Sequence, residues 1–220
     1  MSKCRLRFSK LGRAKYISHL DLMRTFQRAF MRSKVSIKHT EGFNPHVYIS
    51  IALPLQLGCE SLCEILDIET SDETPISTIP ERLNPFLPEG IVVTLASEPI
   101  KKPSAIKFLK CRSQMVFDTG TAEEVAIKMR EFFSQDDITI MKRTKRGQAE
   151  LNLAPYIKSF ELIVQSEDKL TLEAIISAQN PTINPSHLIS ALNQLAKELT
   201  PSFSSDSRIE IYAENLVIFS

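Results

Sequence analysis

The chain has 220 residues, 43% hydrophobic and 24% charged, a composition that suits a globular protein of one large domain or two small ones. No apolar run reaches the length of a bilayer span, and the opening Met1-Ser-Lys-Cys-Arg-Leu-Arg lacks the apolar stretch of a signal peptide, so a cytoplasmic protein without a membrane partner is expected. The net charge of +1 conceals a segregation: residues 1–50 carry eleven Lys/Arg against Asp21 and Glu41, and residues 51–100 carry nine acids against Arg82. That distribution predicts a basic face for an anionic partner, with part of the imbalance absorbed by pairing between the two segments.

In chain order, Arg5–Phe8 alternates as a strand and Gly12 marks a turn. Ser18 and Asp21 have the spacing of a helix cap. The helix from there to Ser33 places Leu22, Met23, Phe26, Ala29 and Phe30 on one side and Arg24, Arg28 and Arg32 on the other. By its angle His19 points with Leu22 and Phe26 towards the core. Gly42-Phe-Asn-Pro is a loop, His46–Leu53 a strand, Cys63–Thr70 a second strand, Ile76–Leu83 a short helix and Ile91–Ala96 a strand.

Pro99–Pro103 reads as a linker. Beyond it lie a strand at Ile106–Phe117 and a helix at Ala122–Ser134 capped by Thr121. A short strand at Ile138–Lys142 runs into a polar basic loop. Strands at Ser159–Val164 and Leu170–Ile176 form a hairpin, followed by a helix from Pro185 to Leu199 and a last strand at Arg208–Phe219. The fold class expected is α+β: two tandem ferredoxin-like (βαββαβ) halves with mainly antiparallel sheets. Residues 1–100 form the domain with the basic motifs and residues 101–220 the second domain.

Cys59 and Cys63 supply at most half of a tetrahedral metal site, and four scattered cysteines fall short of an iron–sulfur cluster, so all four are read as reduced core residues. Neither metal nor cofactor is expected. Hydrolase, zincin, phosphate-loop and dinucleotide signatures are absent, and six glycines leave few places for a backbone to wrap a phosphate. No catalytic residue is assigned, and an enzymatic role is left open, with a binding role favoured.

The dense region is Phe8–Ser50. Lys10, Tyr16, His19, Arg24, Arg28, Gly42, Phe43, Asn44, His46 and Ser50 are the ligand-binding candidates, because they combine cations, hydrogen-bonding groups and aromatic rings, the mixture that holds a phosphate backbone and stacks a base. The loops before the first helix and before the second strand are expected to meet and bring Lys10, His19, Asn44 and His46 together. Each residue also has a plain structural reading: a core histidine, a capping Asp21, a solvated arginine face, a turn at Asn44-Pro45 and an anchoring Phe43.

Phe8-Ser-Lys-x-Gly, Tyr16-Ile-Ser-His-Leu-Asp-Leu-Met-Arg, Gly42-Phe-Asn-Pro-His and Ile51-Ala-Leu-Pro-Leu-x-Leu-Gly, in this order, resemble the radical-SAM-linked protein family. That family is a domain of unknown function found beside, or fused behind, cobalamin-binding radical-SAM enzymes. Asn152-Leu-Ala-Pro-Tyr-Ile departs from its D-L-R-P-Y-I pattern, with Asn152 and Ala154 standing in place of an acid and an arginine.

The resemblance implies a radical-SAM enzyme as partner and an accessory that presents or recognises its substrate, with RNA as one substrate class. Two alternatives stay open: a metal-independent endoribonuclease-like enzyme using His19, Tyr16, Lys10 and His46, and a pure docking partner of the radical-SAM enzyme.

Overall fold

The computed structural model describes residues 2–43, 45–71, 74–144 and 147–220 as a mixed α+β protein, mostly antiparallel sheet with four helices. It divides into two units, Met1–Ala105 with Ile218–Ser220, and Ile106–Val217.

In the first unit the elements are β1 (Ser2–Lys10), α1 (His19–Ser33), β2 (Ile49–Ala52), β3 (Glu60–Thr70), α2 (Ile79–Leu83) and β4 (Ile91–Ser97). The strands lie in the order β4-β1-β3-β2, each antiparallel to its neighbour. The period of two along β1 sends Cys4, Leu6 and Phe8 to one face, where they join Leu66 and Ile68 of β3. Leu22, Phe26, Ala29 and Phe30 of α1 close over that face, and the Phe8 and Phe26 rings meet edge-on at 4.8 Å.

The start of α1 is written locally: Ser18 Oγ accepts the Asp21 N–H at 3.2 Å and donates to Asp21 Oδ2 at 2.7 Å. It ends where Lys34 turns into the left-handed region at φ 56°. Arg82 then donates to the Ser33 and Lys34 carbonyls, at 3.3 and 2.6 Å.

The opposite face of this sheet carries Arg5, which is only 2% exposed. Its fork grips Asp67 at 2.7 and 2.8 Å, its remaining terminal nitrogen donates to the Lys101 and Ser220 carbonyls, and its plane lies 4.5 Å from the Phe219 ring centroid.

The second unit contains β5 (Phe108–Val116), α3 (Ala122–Phe133), β6 (Thr139–Thr144), β7 (Gly147–Asn152), β8 (Ile157–Ser166), β9 (Lys169–Ser177), α4 (Pro185–Leu195) and β10 (Phe203–Tyr212). Its strand order is β10-β5-β9-β8, again antiparallel, with β6 and β7 as a separate two-stranded ribbon. The stretch read as a basic loop therefore contains a strand, β7, whose outer residues Gly147–Glu150 are exposed on both faces and give no alternation to read.

Gln194 of α4 holds the ribbon's edge by accepting the Met141 N–H at 2.8 Å and donating to the Met141 carbonyl at 3.3 Å. The last strand begins and ends earlier than the sequence suggests. The chain turns at Glu214–Leu216, and Phe219 belongs to the first unit beneath Arg5. Asn152, at the departure from the family pattern, accepts the Ile138 and Ala154 N–H groups at 3.0 Å each and donates to the Asp136 carbonyl at 3.3 Å.

Pro185 opens α4 behind a capping box in which the Asn184 N–H reaches His187 Nδ1 at 3.2 Å. Burial, with Lys142 nearby, pushes the His187 imidazole down to about 4 from 6.5.

Two outcomes follow from these groups. Arg5→Ala strands Asp67 without its counter-ion and is expected to destabilise the fold by about 3 kcal/mol, read from the urea midpoint, with Arg5→Lys recovering only part because it lacks the fork. For His187, the folded state disfavours the proton, so stability is full above pH 6.5 and falls as pH drops towards about 4, where both states are protonated. His187→Gln keeps a capping side chain and removes this component, so the mutant's pH–stability curve is flatter than the parent's over that window.

Candidate functional site

Arg24, Arg28 and Arg32 are all exposed on the outer side of α1, about 6 Å apart along its axis. Arg24 leans on Asp21 at 3.1 Å, and the Ser18 hydroxyl first, then Arg24, holds the Asp21 carboxyl below its ordinary range. The acids of β3 lie elsewhere. Asp67 holds Arg5, Glu69 holds Lys38 at 3.1 Å, and Glu60 lies 3.8 Å from Lys15 and accepts the Gly12 N–H at 3.0 Å. Pairing between the two oppositely charged segments is thus real, and it uses residues other than the arginine row.

At the end of the row, Lys34 and His39 border a groove of about 380 Å³ whose other walls include Phe30, Val35, Ile37 and Val47. Sequence reading missed Lys34 and His39. Both follow the helix in a segment without periodicity, and the pairing of Ile37 with Thr70 and of His39 with Val47 gives that segment a place.

The expected meeting of the two loops does not occur. Ile37 bridges to Thr70, which also pairs with Ser2, so the 40–46 loop lies at the Ser2 end of β1. The start of α1 follows the Lys10 end. The separation is on the order of 20 Å, the length of a 15-residue helix. The physical reason is direction: β2 must run antiparallel to β3, so it is entered from the end of the sheet where α1 finishes.

Lys10 is 2% exposed and donates to the Ile17 carbonyl at 2.7 Å and the Lys15 carbonyl at 3.4 Å. Burial holds its ammonium below the ordinary lysine range, partly offset by Glu64 and Cys59. His19 is exposed, correcting its expected core orientation, since the first turn of α1 reaches past the packed face and the inward side begins at Leu22. Tyr16 is exposed beside Lys15, with 5.5 Å from Lys15 Nζ to the ring centroid.

Gly42, Phe43 and His46 are exposed on the loop, and Asn44 lies outside the described residues. Ser50 stands opposite Asp67 in register, above a cleft of about 240 Å³ that it shares with Tyr48 and Glu69, on the face away from α1. Thus Arg24 and Arg28 lie on the outer side of α1, and the unforeseen Lys34 and His39 border a groove at its last turn whose lining includes no arginine of the row. Lys10, Tyr16 and His19 belong to the other end, and Ser50 to the opposite face.

A family model described as "Uncharacterized protein conserved in bacteria (DUF2344)" matches residues 3–185. The chain belongs to this family. No curated protein matches it. The DUF2344 match takes in α1 with its arginine row, the 40–46 loop and the β6–β7 ribbon, and it ends at Pro185, the first residue of α4.

Because Lys10 is tied to main-chain carbonyls, Lys10→Ala is expected to lower stability by about 1–3 kcal/mol in denaturant titration while leaving the salt dependence of any anion binding unchanged.

Proposed function

We propose that the protein is a non-catalytic accessory module that holds RNA, or a polyanion of similar spacing, by its phosphates along α1, and that it serves a radical-SAM enzyme. The observation that carries the first part is the exposed row Arg24, Arg28 and Arg32, on the side of α1 away from a core that already engages the neighbouring acids. Guanidinium groups at a spacing near that of successive phosphates of an extended strand suit backbone contacts, which give affinity without sequence preference. The second part rests on the motifs Tyr16–Arg24, Gly42–His46 and Ile51–Gly58. RNA as the substrate is a reading from charge and from the chemistry such enzymes perform.

We further infer that both units are ferredoxin-like. The order of elements in the first unit, β-α-β-β-α-β, and the strand order β4-β1-β3-β2 support this. In the second unit the order β10-β5-β9-β8 supports it once the β6–β7 ribbon is taken as an insertion between the first helix and the second strand. The endoribonuclease reading loses its geometric support, because Lys10 is buried and His46 stands at the far end of the unit from His19.

The test is binding of single-stranded RNA across a salt series. Three phosphate contacts predict a log–log slope of about −2, and Arg28→Ala with Arg32→Ala together reduce its magnitude by about 1.4. Absence of salt-sensitive binding at low ionic strength removes the reading. Co-purification with a radical-SAM enzyme tests the partnership separately.

A further inference from the structure

Phe43 has a relative exposure of 107%, above every other large hydrophobic side chain among the described residues. Its loop is nonetheless anchored at the stem. The Thr40 N–H donates to the His46 carbonyl at 2.8 Å, the His46 N–H donates to Thr40 Oγ1 at 3.1 Å, and that hydroxyl lies 3.1 Å from His46 Nδ1. Gly42, at φ +132°, supplies a backbone conformation just before Phe43 that a side chain would resist. A ring held clear of its own protein on a fixed stem is arranged to contact something else.

Its surroundings indicate what. The stem continues into the His39–Val47 bridge, which walls the groove rimmed by Lys34 and His39. That groove opens beside the last turn of α1, where the arginine row ends at Arg32. Cations leading to an isolated aromatic ring match the way single strands are held, with phosphates on the basic track and bases on ring faces. A protein anchor would sit within a surrounding apolar rim, whereas Phe43 is flanked by the exposed Glu41 and His46. Duplex RNA keeps its bases stacked inside and leaves no face for the ring.

We propose that Phe43 is a stacking platform for an unpaired base of a single-stranded nucleic acid whose backbone follows Arg24, Arg28 and Arg32. This rests on the assignment of α1 as the backbone-binding face. It makes the protein a reader of strandedness, because the charge row alone accepts any polyanion while the ring requires an open base.

The experiment uses the full chain and three probes: a fluorescent single-stranded oligonucleotide, an abasic strand of equal length, and the corresponding duplex. The parent protein is expected to bind the base-bearing strand about tenfold more tightly than the abasic one. Phe43→Ala should bring the two affinities together, leave abasic binding and the salt slope unchanged, and retain the parent's circular dichroism, since the ring packs on nothing that would be lost.

The chain has no tryptophan, so Phe43→Trp installs a single reporter whose fluorescence the base-bearing strand quenches and the abasic strand does not. Equal affinity of the parent and Phe43→Ala for the base-bearing strand overturns the stacking role while α1 keeps its own. The same equality together with loss of a protein partner in Phe43→Ala assigns the ring to protein docking and overturns it likewise. Failure of all three probes to bind removes both readings.

Discussion

A guanidinium with almost no water around it must find its partners within the protein, and Arg5 does so by drawing three other stretches of chain to one point. Asp67 binds it from β3, Lys101 and Ser220 offer carbonyls, and Phe219 covers its plane. Leaving any of these unmade would expose a buried charge to a cost of several kcal/mol, so the segment after β4 and residues 218–220 are held against the open face of the first sheet. That face is thereby committed to an internal network. There Arg5 is paired with Asp67 and Lys38 with Glu69, so most of the charge on that side is balanced within the unit.

The remaining charges follow from the same pairing. Strand β3 runs alongside β1, so the acids that make residues 51–100 negative lie within reach of cations from residues 1–50, and Asp67, Glu69 and Glu60 each take one. Helix α1, which lies between β1 and β3 in the chain, covers the other side of the sheet, and its outward residues face no strand. Arginines there keep their charge towards solvent because the period of 3.6 puts them opposite Leu22, Phe26 and Phe30. The exposed row is one part of the positive charge left after the sheet's acids have taken Arg5, Lys38 and Lys15.

This division also explains what could be read from the sequence. Helix α1, its Ser18 cap and its two faces depend on residues within four positions of one another, and they were legible. So were the hairpin of β8 and β9 and the cap of α3. The burial of Lys10 was not legible, because it depends on two carbonyls presented by the turn at residues 12–17. The position of the 40–46 loop depends on the pairing of Ile37 with Thr70, a contact between residues with no shared pattern. Strand β7 escaped because its residues Gly147–Glu150 are all exposed and impose no alternation. Phe43 was singled out by its residue type, yet its exposure is known only from the loop's path.

Gln194 has a meaning beyond fastening one ribbon. By presenting an amide to both polar groups of Met141, a side chain reproduces the pattern that an adjoining strand would offer. An unprotected ribbon edge invites recruitment into a neighbour's sheet, and through that route self-association. With this imitation in place, the β6 edge of the ribbon is closed at that residue to a strand from a neighbour.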